Sequence, residues 1–100
     1  MKVQLSSYAA RQLREAIDYY RGVGALRYAS KLEATLRSGI GLLAEYPELG
    51  AVYPPLASLR SGHRSLILAS RYRVVYRLAG DVILVSDVFD TRQDPARLRS

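Results

Sequence analysis

Cysteine and tryptophan are missing from this 100-residue chain, and lysine occurs only at Lys2 and Lys31. With no cysteine there is neither a disulfide framework nor a thiolate metal site. No stretch approaches the roughly 18 consecutive apolar residues of a membrane span, and Met1-Lys2-Val3-Gln4-Leu5 turns polar too early for a signal peptide. A cytoplasmic protein without membrane association is the expectation. Repeats, low-complexity tracts and linkers are absent as well. One domain over residues 1–100 fits the length, and a chain of this size buries only about 60–65% of its unfolded surface. No Gly-rich phosphate loop and no metal-ligand spacing is present, so no cofactor is expected.

Arginine takes the place of lysine, supplying 13 of the 15 basic side chains in a chain of net charge +6. Guanidinium grips phosphate and carboxylate through a planar fork. A GC-rich genome would also favour arginine codons, with no physical reason behind it. The charge leans toward the C-terminal half, where eight arginines face four aspartates against seven bases and five acids in the N-terminal half. A polyanionic partner is favoured.

Residues 2–6 read as a short strand, after which Ser6 or Ser7 can cap a helix. Ala10, Leu13, Ile17 and Tyr20 recur at helical spacing, with Arg11–Glu15 and Arg14–Asp18 as i,i+4 pairs on the other side. Gly22 and Gly24 stop that helix. A second begins near Ala25, places Ala29, Leu32, Leu36, Ile40 and Leu43 on one stripe, and ends before Pro47. Gly39 and Gly41 each weaken it by about 1 kcal/mol relative to alanine, so packing must hold that end. Residues 47–62 read as irregular. The period then changes from 3.6 to 2: strands are expected over Arg64–Ala69, Arg71–Leu78 and Val82–Phe89, the last two joined by a tight Ala79-Gly80-Asp81 connection. In the middle strand Tyr72, Val74, Tyr76 and Leu78 share the core face, while Arg71, Arg73, Val75 and Arg77 share the opposite face or its rim. The order β-α-α-β-β-β with a short tail predicts an α+β domain, a helical hairpin on one face of a mainly antiparallel sheet.

"LSSYAARQLREAIDYY", "LLAEYPELG", "GHRSLILASRYRVVYRLAGDVILVSDVF" and "TRQDP" follow one another in an order, spacing and total length that resemble the RelE/ParE superfamily of type II toxins. The resemblance spans nearly the whole chain. It implies the toxic half of a toxin–antitoxin pair, silenced by an antitoxin segment that wraps it in a hetero-oligomer. It also implies one of two actions. RelE-like toxins cut messenger RNA on the ribosome, whereas ParE-like toxins block DNA gyrase. A third alternative is a relative that poisons nothing and only binds an antitoxin.

Cutting RNA through the ribose 2′-OH needs proton-handling groups as well as cations for the phosphorane charge. By resemblance, Arg64, Arg73 and Arg92 fall on basic positions of the nucleases. Leu66, Leu98 and Asp90 stand where relatives place a lysine, a tyrosine and a histidine. Arginine is a clamp rather than a proton shuttle. If the chain is a nuclease, Arg64, Arg73, Arg92 and Asp90 would carry the reaction. Asp90 is otherwise read as a turn residue or partner of Arg92. His63, the only histidine, is expected on the face of its strand opposite Arg64, toward the helices or the edge. Tyr72 and Tyr76 read as core. Tyr8, Tyr19, Tyr20, Tyr28, Tyr46 and Tyr53 are scattered and read mostly as helix–sheet packing with wet hydroxyls rather than as a stacking platform. The sequence therefore predicts anion- or target-binding by Arg64, Arg71, Arg73 and Arg92 without an acid–base pair, the ParE-like alternative.

Overall fold

The computed structural model describes residues 1–53 and 62–92. The elements are β1 (Lys2–Leu5), α1 (Ser7–Gly22), α2 (Leu26–Leu42), β2 (Ala51–Val52), β3 (Arg64–Leu68), β4 (Tyr72–Ala79) and β5 (Val82–Asp90). The expected α+β architecture is the one observed. One element is added, because β2 lies inside the 47–62 stretch read as irregular. Its pairing is only Ala51↔Ser65 and Val52↔Arg64, too short for any alternation to show.

Ser6 is the cap of α1: its backbone is extended and its Oγ accepts from the Ala9 N–H at 3.0 Å, which satisfies one orphan first-turn amide. Leu13 and Ile17 are buried as their spacing predicted. The stripe begins at Ala9, fully buried, and not at Ala10, which is only half-buried. The row 9–13–17 is a strict i,i+4 ridge, the kind that seats between neighbouring elements. Gly24 ends the helix with φ +82°, while the Ala25 and Gly24 N–H groups return to the Tyr20 and Arg21 carbonyls at 2.8 and 3.1 Å. This is a Schellman closure, which needs the left-handed residue that glycine supplies without strain. Neither i,i+4 pair expected on α1 forms. Among the described residues the ion pairs are Arg21 with Asp18 and Glu33, Arg37 with Glu33, and Arg92 with Asp90.

The sheet runs β1-β5-β4-β3-β2, with β1 parallel to β5 and every other pair antiparallel. Leu36, Leu43, Val74, Ile83 and Val85 are 1% exposed or less, and Leu5 and Leu68 pack against both halves of the core. Each fully buried aliphatic side chain of this kind is worth about 1.5–3 kcal/mol of transfer free energy. A bulge shapes β5: Val75 pairs with Asp87 but Tyr76 pairs with Val85, leaving Ser86 as the extra residue. It resets the alternation, so Ile83, Val85 and Val88 all reach the core from a run whose spacing is not strictly two.

Candidate functional site

Side chains of cross-strand partners lie on one face of a sheet, so the register decides where the arginines point. Arg64 pairs with Tyr76, a core residue, and Leu66 with Val74. Arg64 is therefore on the helix side, at the end of the sheet, where Nη1 donates to the Gly50 carbonyl at 2.7 Å. Leu66 is apolar because it packs on the core. Arg73 pairs with Ile67 and Phe89 on the opposite face. The structure thus separates Arg64 from Arg73, which the sequence reading had grouped as part of one phosphate-binding trio.

His63 is opposite Arg64, as expected, but does not face the helices. Being one residue before Arg64, it shares the face of Ser65 and Arg73, away from the helices. Arg73 Nη1 donates to Ser65 Oγ at 2.7 Å, and its guanidinium lies 5.5 Å from the centre of the Tyr53 ring. Tyr53 binds back through its backbone N–H to the His63 carbonyl at 3.0 Å. Burial lowers the His63 pKa, Arg77 lowers it further, and Asp87 opposes both. Burial also pushes the Asp87 carboxyl above its usual range, against a hydrogen bond with Ser86 and the pull of His63. Val75, at the centre of this face, is 1% exposed.

Arg71 departs from the face expected of it. Ala69 and Ser70 adopt φ 55° and 59°, and the Arg71 N–H closes the turn on the Leu68 carbonyl at 3.1 Å. That turn sends Arg71 toward α1, where Nη1 donates to the Tyr20 hydroxyl at 2.8 Å. Arg92 lies at the same end of the sheet. Its Nη2 donates to Asp90 Oδ2 at 2.6 Å, its Nε reaches both Asp90 oxygens at 3.1 Å, and its backbone N–H donates to Oδ1 at 2.8 Å. These bonds hold the Asp90 carboxyl below its usual range and push the Arg92 guanidinium further up. Asp90 is the turn residue and Arg92 partner expected as its plainer role. A carboxylate already tied to a guanidinium in this way is a weaker base than a free one. Leu98 and the Gln93–Pro95 part of the tail lie outside the described residues.

Two clefts flank these groups, each of about 620 Å³. One, between α1 and the end of β5, has Tyr8, Arg11, Tyr19 and Arg92 among its lining residues. The other lies at the opposite end, against Tyr46, Leu49, Arg64 and Leu78. Tyr46, Leu49 and Leu78 are 57%, 49% and 53% exposed, an apolar patch beside a guanidinium. Tyr72 and Tyr76 sit in the core, as their alternation with Val74 predicted, and burial raises the Tyr72 pKa. Of the other tyrosines, Tyr53 is buried and Tyr20 packs against the core, as expected, whereas Tyr8, Tyr19, Tyr28 and Tyr46 are exposed. Tyr8 and Tyr19 are 51% and 63% exposed, and Tyr19, Tyr20 and Tyr28 touch edge to face at 5.0 and 4.7 Å.

The described residues form a helical hairpin packed on a mixed five-stranded sheet. The structure is similar to one solved as "Chromosomal ParDE TA system from P. aeruginosa", with a TM-score of 0.73 and 22% identity over 90% of this chain and 95% of that one. No curated protein matches the sequence itself. The family model described as ParE toxin of type II toxin-antitoxin system, parDE, matches residues 3–95. The chain belongs to the ParE toxin family.

Proposed function

We propose that this toxin acts in the cytoplasm by binding and inhibiting DNA gyrase, and that a cognate antitoxin neutralises it in a hetero-oligomer. The observation that carries the reading is the family match over residues 3–95. The state of Asp90 supports a binding rather than a cutting mechanism, since the carboxylate nearest Arg92 and Arg71 is held as an anion. General acid–base catalysis is worth about 10²–10⁴-fold per step, and neither guanidinium can supply it. The apolar cleft at Tyr46, Leu49 and Leu78 suits an amphipathic antitoxin segment that folds on binding, with Arg64 and Arg77 on its wall to meet acidic side chains and Glu45 and Glu48 to meet basic ones.

Induction in a bacterial host is expected to give filamentous cells with a DNA-damage response, and the purified protein to inhibit supercoiling by gyrase. Charge reversal, Arg92→Glu, should weaken inhibition about tenfold, as loss of an exposed interface charge does. Co-expression with the antitoxin should yield a stable complex and restore growth. Harmless high-level expression of the protein alone would count against the toxin reading altogether.

One observation favours a second reading, a ribosome-dependent messenger RNA nuclease. His63 shares the outer face with Arg73, close enough to Arg77 and Asp87 to feel both charges. Cleavage of ribosome-bound messenger RNA by the purified protein, abolished by His63→Ala, would establish that reading in place of gyrase inhibition.

A further inference from the structure

The cleft between α1 and the end of β5 has walls of different chemistry. Tyr8, Arg11, Glu15 and Tyr19 line it from one helix, while Asp90 and Arg92 line it from the strand end. Tyr8 and Tyr19 are eleven residues apart, close to three turns, which puts both on one stripe about 16 Å apart. The parts are held. Gln12 Oε1 accepts from the Val88 N–H at 2.8 Å, tying α1 to β5 beneath the cleft. Tyr20, fixed by Arg71, backs Tyr19 edge to face, and the Arg11 guanidinium lies 5.6 Å from the centre of the Tyr8 ring.

We propose that this cleft binds single-stranded nucleic acid. Bases stack at Tyr8 and Tyr19, and the intervening phosphates pair with Arg11 and Arg92. Three observations select this ligand. Tyr8 and Tyr19 are 51% and 63% exposed although the stripe runs along a well-packed helix, and a sequence-tolerant strand supplies a π-face for each ring. Arg11 lies between the two tyrosines along α1, and Arg92, bonded to Asp90, lines the cleft from the strand end. The cleft also contains Glu15 and Asp90. A wholly acidic peptide would meet their repulsion along its length. A nucleotide instead keeps its phosphate apart from its base, and exocyclic amino groups can donate to a carboxylate.

The test uses the purified chain alone, without gyrase or antitoxin, so its outcome is independent of the function proposed above. Anisotropy of a labelled mixed-sequence single strand of about 15 nucleotides should show micromolar binding at low salt. The affinity should fall with salt at a logarithmic slope of about −1.4, corresponding to two phosphates. Tyr19→Ala and Arg11→Ala should each weaken binding about tenfold. Lys31→Ala removes the same charge from exposed α2 surface and should change it less than about twofold. Circular dichroism of each variant should match the parent, because all three side chains are exposed. Absence of binding, or equal losses for Lys31→Ala and Arg11→Ala, would overturn the proposal. So would displacement of the strand by polyglutamate at lower concentration than by unlabelled strand, which would assign the cleft to an acidic protein segment.

Discussion

One phenol oxygen fastens the segment after α2 to the sheet. Tyr76 is 1% exposed; its hydroxyl donates to the Pro47 carbonyl and accepts from the Gly50 N–H, both at 2.8 Å. Gly50 has no room for a side chain there, since a Cβ would lie 2.6 Å from the Ser65 carbonyl oxygen. Tyr76→Phe leaves two backbone groups unpaired and should cost about 2–3 kcal/mol, seen as a lower urea midpoint with an unchanged slope. That Tyr76 is core was legible from its alternation with Val74. Its two bonds were not, because their partners lie 29 and 26 residues upstream. Asp87 leads to a pH effect. Its folded pKa is raised, chiefly by burial, so the native state holds the proton more tightly than the unfolded chain does. The stability this contributes is full below the unfolded value of about 4 and is lost as pH rises through the higher folded value. Asp87→Asn, permanently neutral, should therefore raise the unfolding midpoint at pH 7 and leave it nearly unchanged near pH 3. Denaturant titrations at the two pH values check the sign. The faces of His63 and Arg64 were misjudged for a related reason. Alternation says that they oppose each other, but which one faces the helices is set by pairing with β4.

At the scale of elements, the sequence pattern revealed both helices, four of the five strands and the β4–β5 hairpin, but not the two devices that aim the arginines. The bulge at Ser86 sits in a nearly continuous apolar run, where the pattern cannot tell one residue too many. The Ala69-Ser70 turn carries none of the glycine or asparagine that marks left-handed positions. Both residues pay for φ near +60°, about 1 kcal/mol each or slightly more. Replacing the pair, Ala69→Asn with Ser70→Gly, should stabilise the protein by about 1 kcal/mol and raise its melting temperature, with the hairpin register unchanged. Glycines in α2 give a matched contrast. A Cβ at Gly41 meets nothing within 4 Å, whereas at Gly39 it would lie 2.5 Å from Leu68 Cδ2. Gly41→Ala should gain about 0.5–1 kcal/mol from helix propensity. Gly39→Ala should gain less or lose, because Leu68 must move within a filled core. Thermal melts of the two variants compare them directly.

For the molecule as a whole, the family was legible because length, element order and the β4–β5 segment are properties of the entire chain. The arrangement of the arginines was not, because three sheet registers and one strained turn distribute Arg64, Arg73 and the Arg71–Arg92 pair to three separate places. The parallel pairing of β1 with β5 has a consequence for synthesis. Lys2 pairs with Val82 and Leu5 with Val85, so the first strand made must wait, unpaired along that edge, until the last strand of the sheet has been produced. Contacts this distant in sequence are entropically late in folding. A growing chain that stops before Val82 has its helices but no partner for β1, and the surface formed by α1 against β5 does not yet exist. On this account the fold stays incomplete while it is being made, and a partner that reads the finished sheet has nothing to grasp before β5 has been made. Nascent chains arrested at Asp81 should be cut by protease within α1, whereas chains carried past β5 should resist.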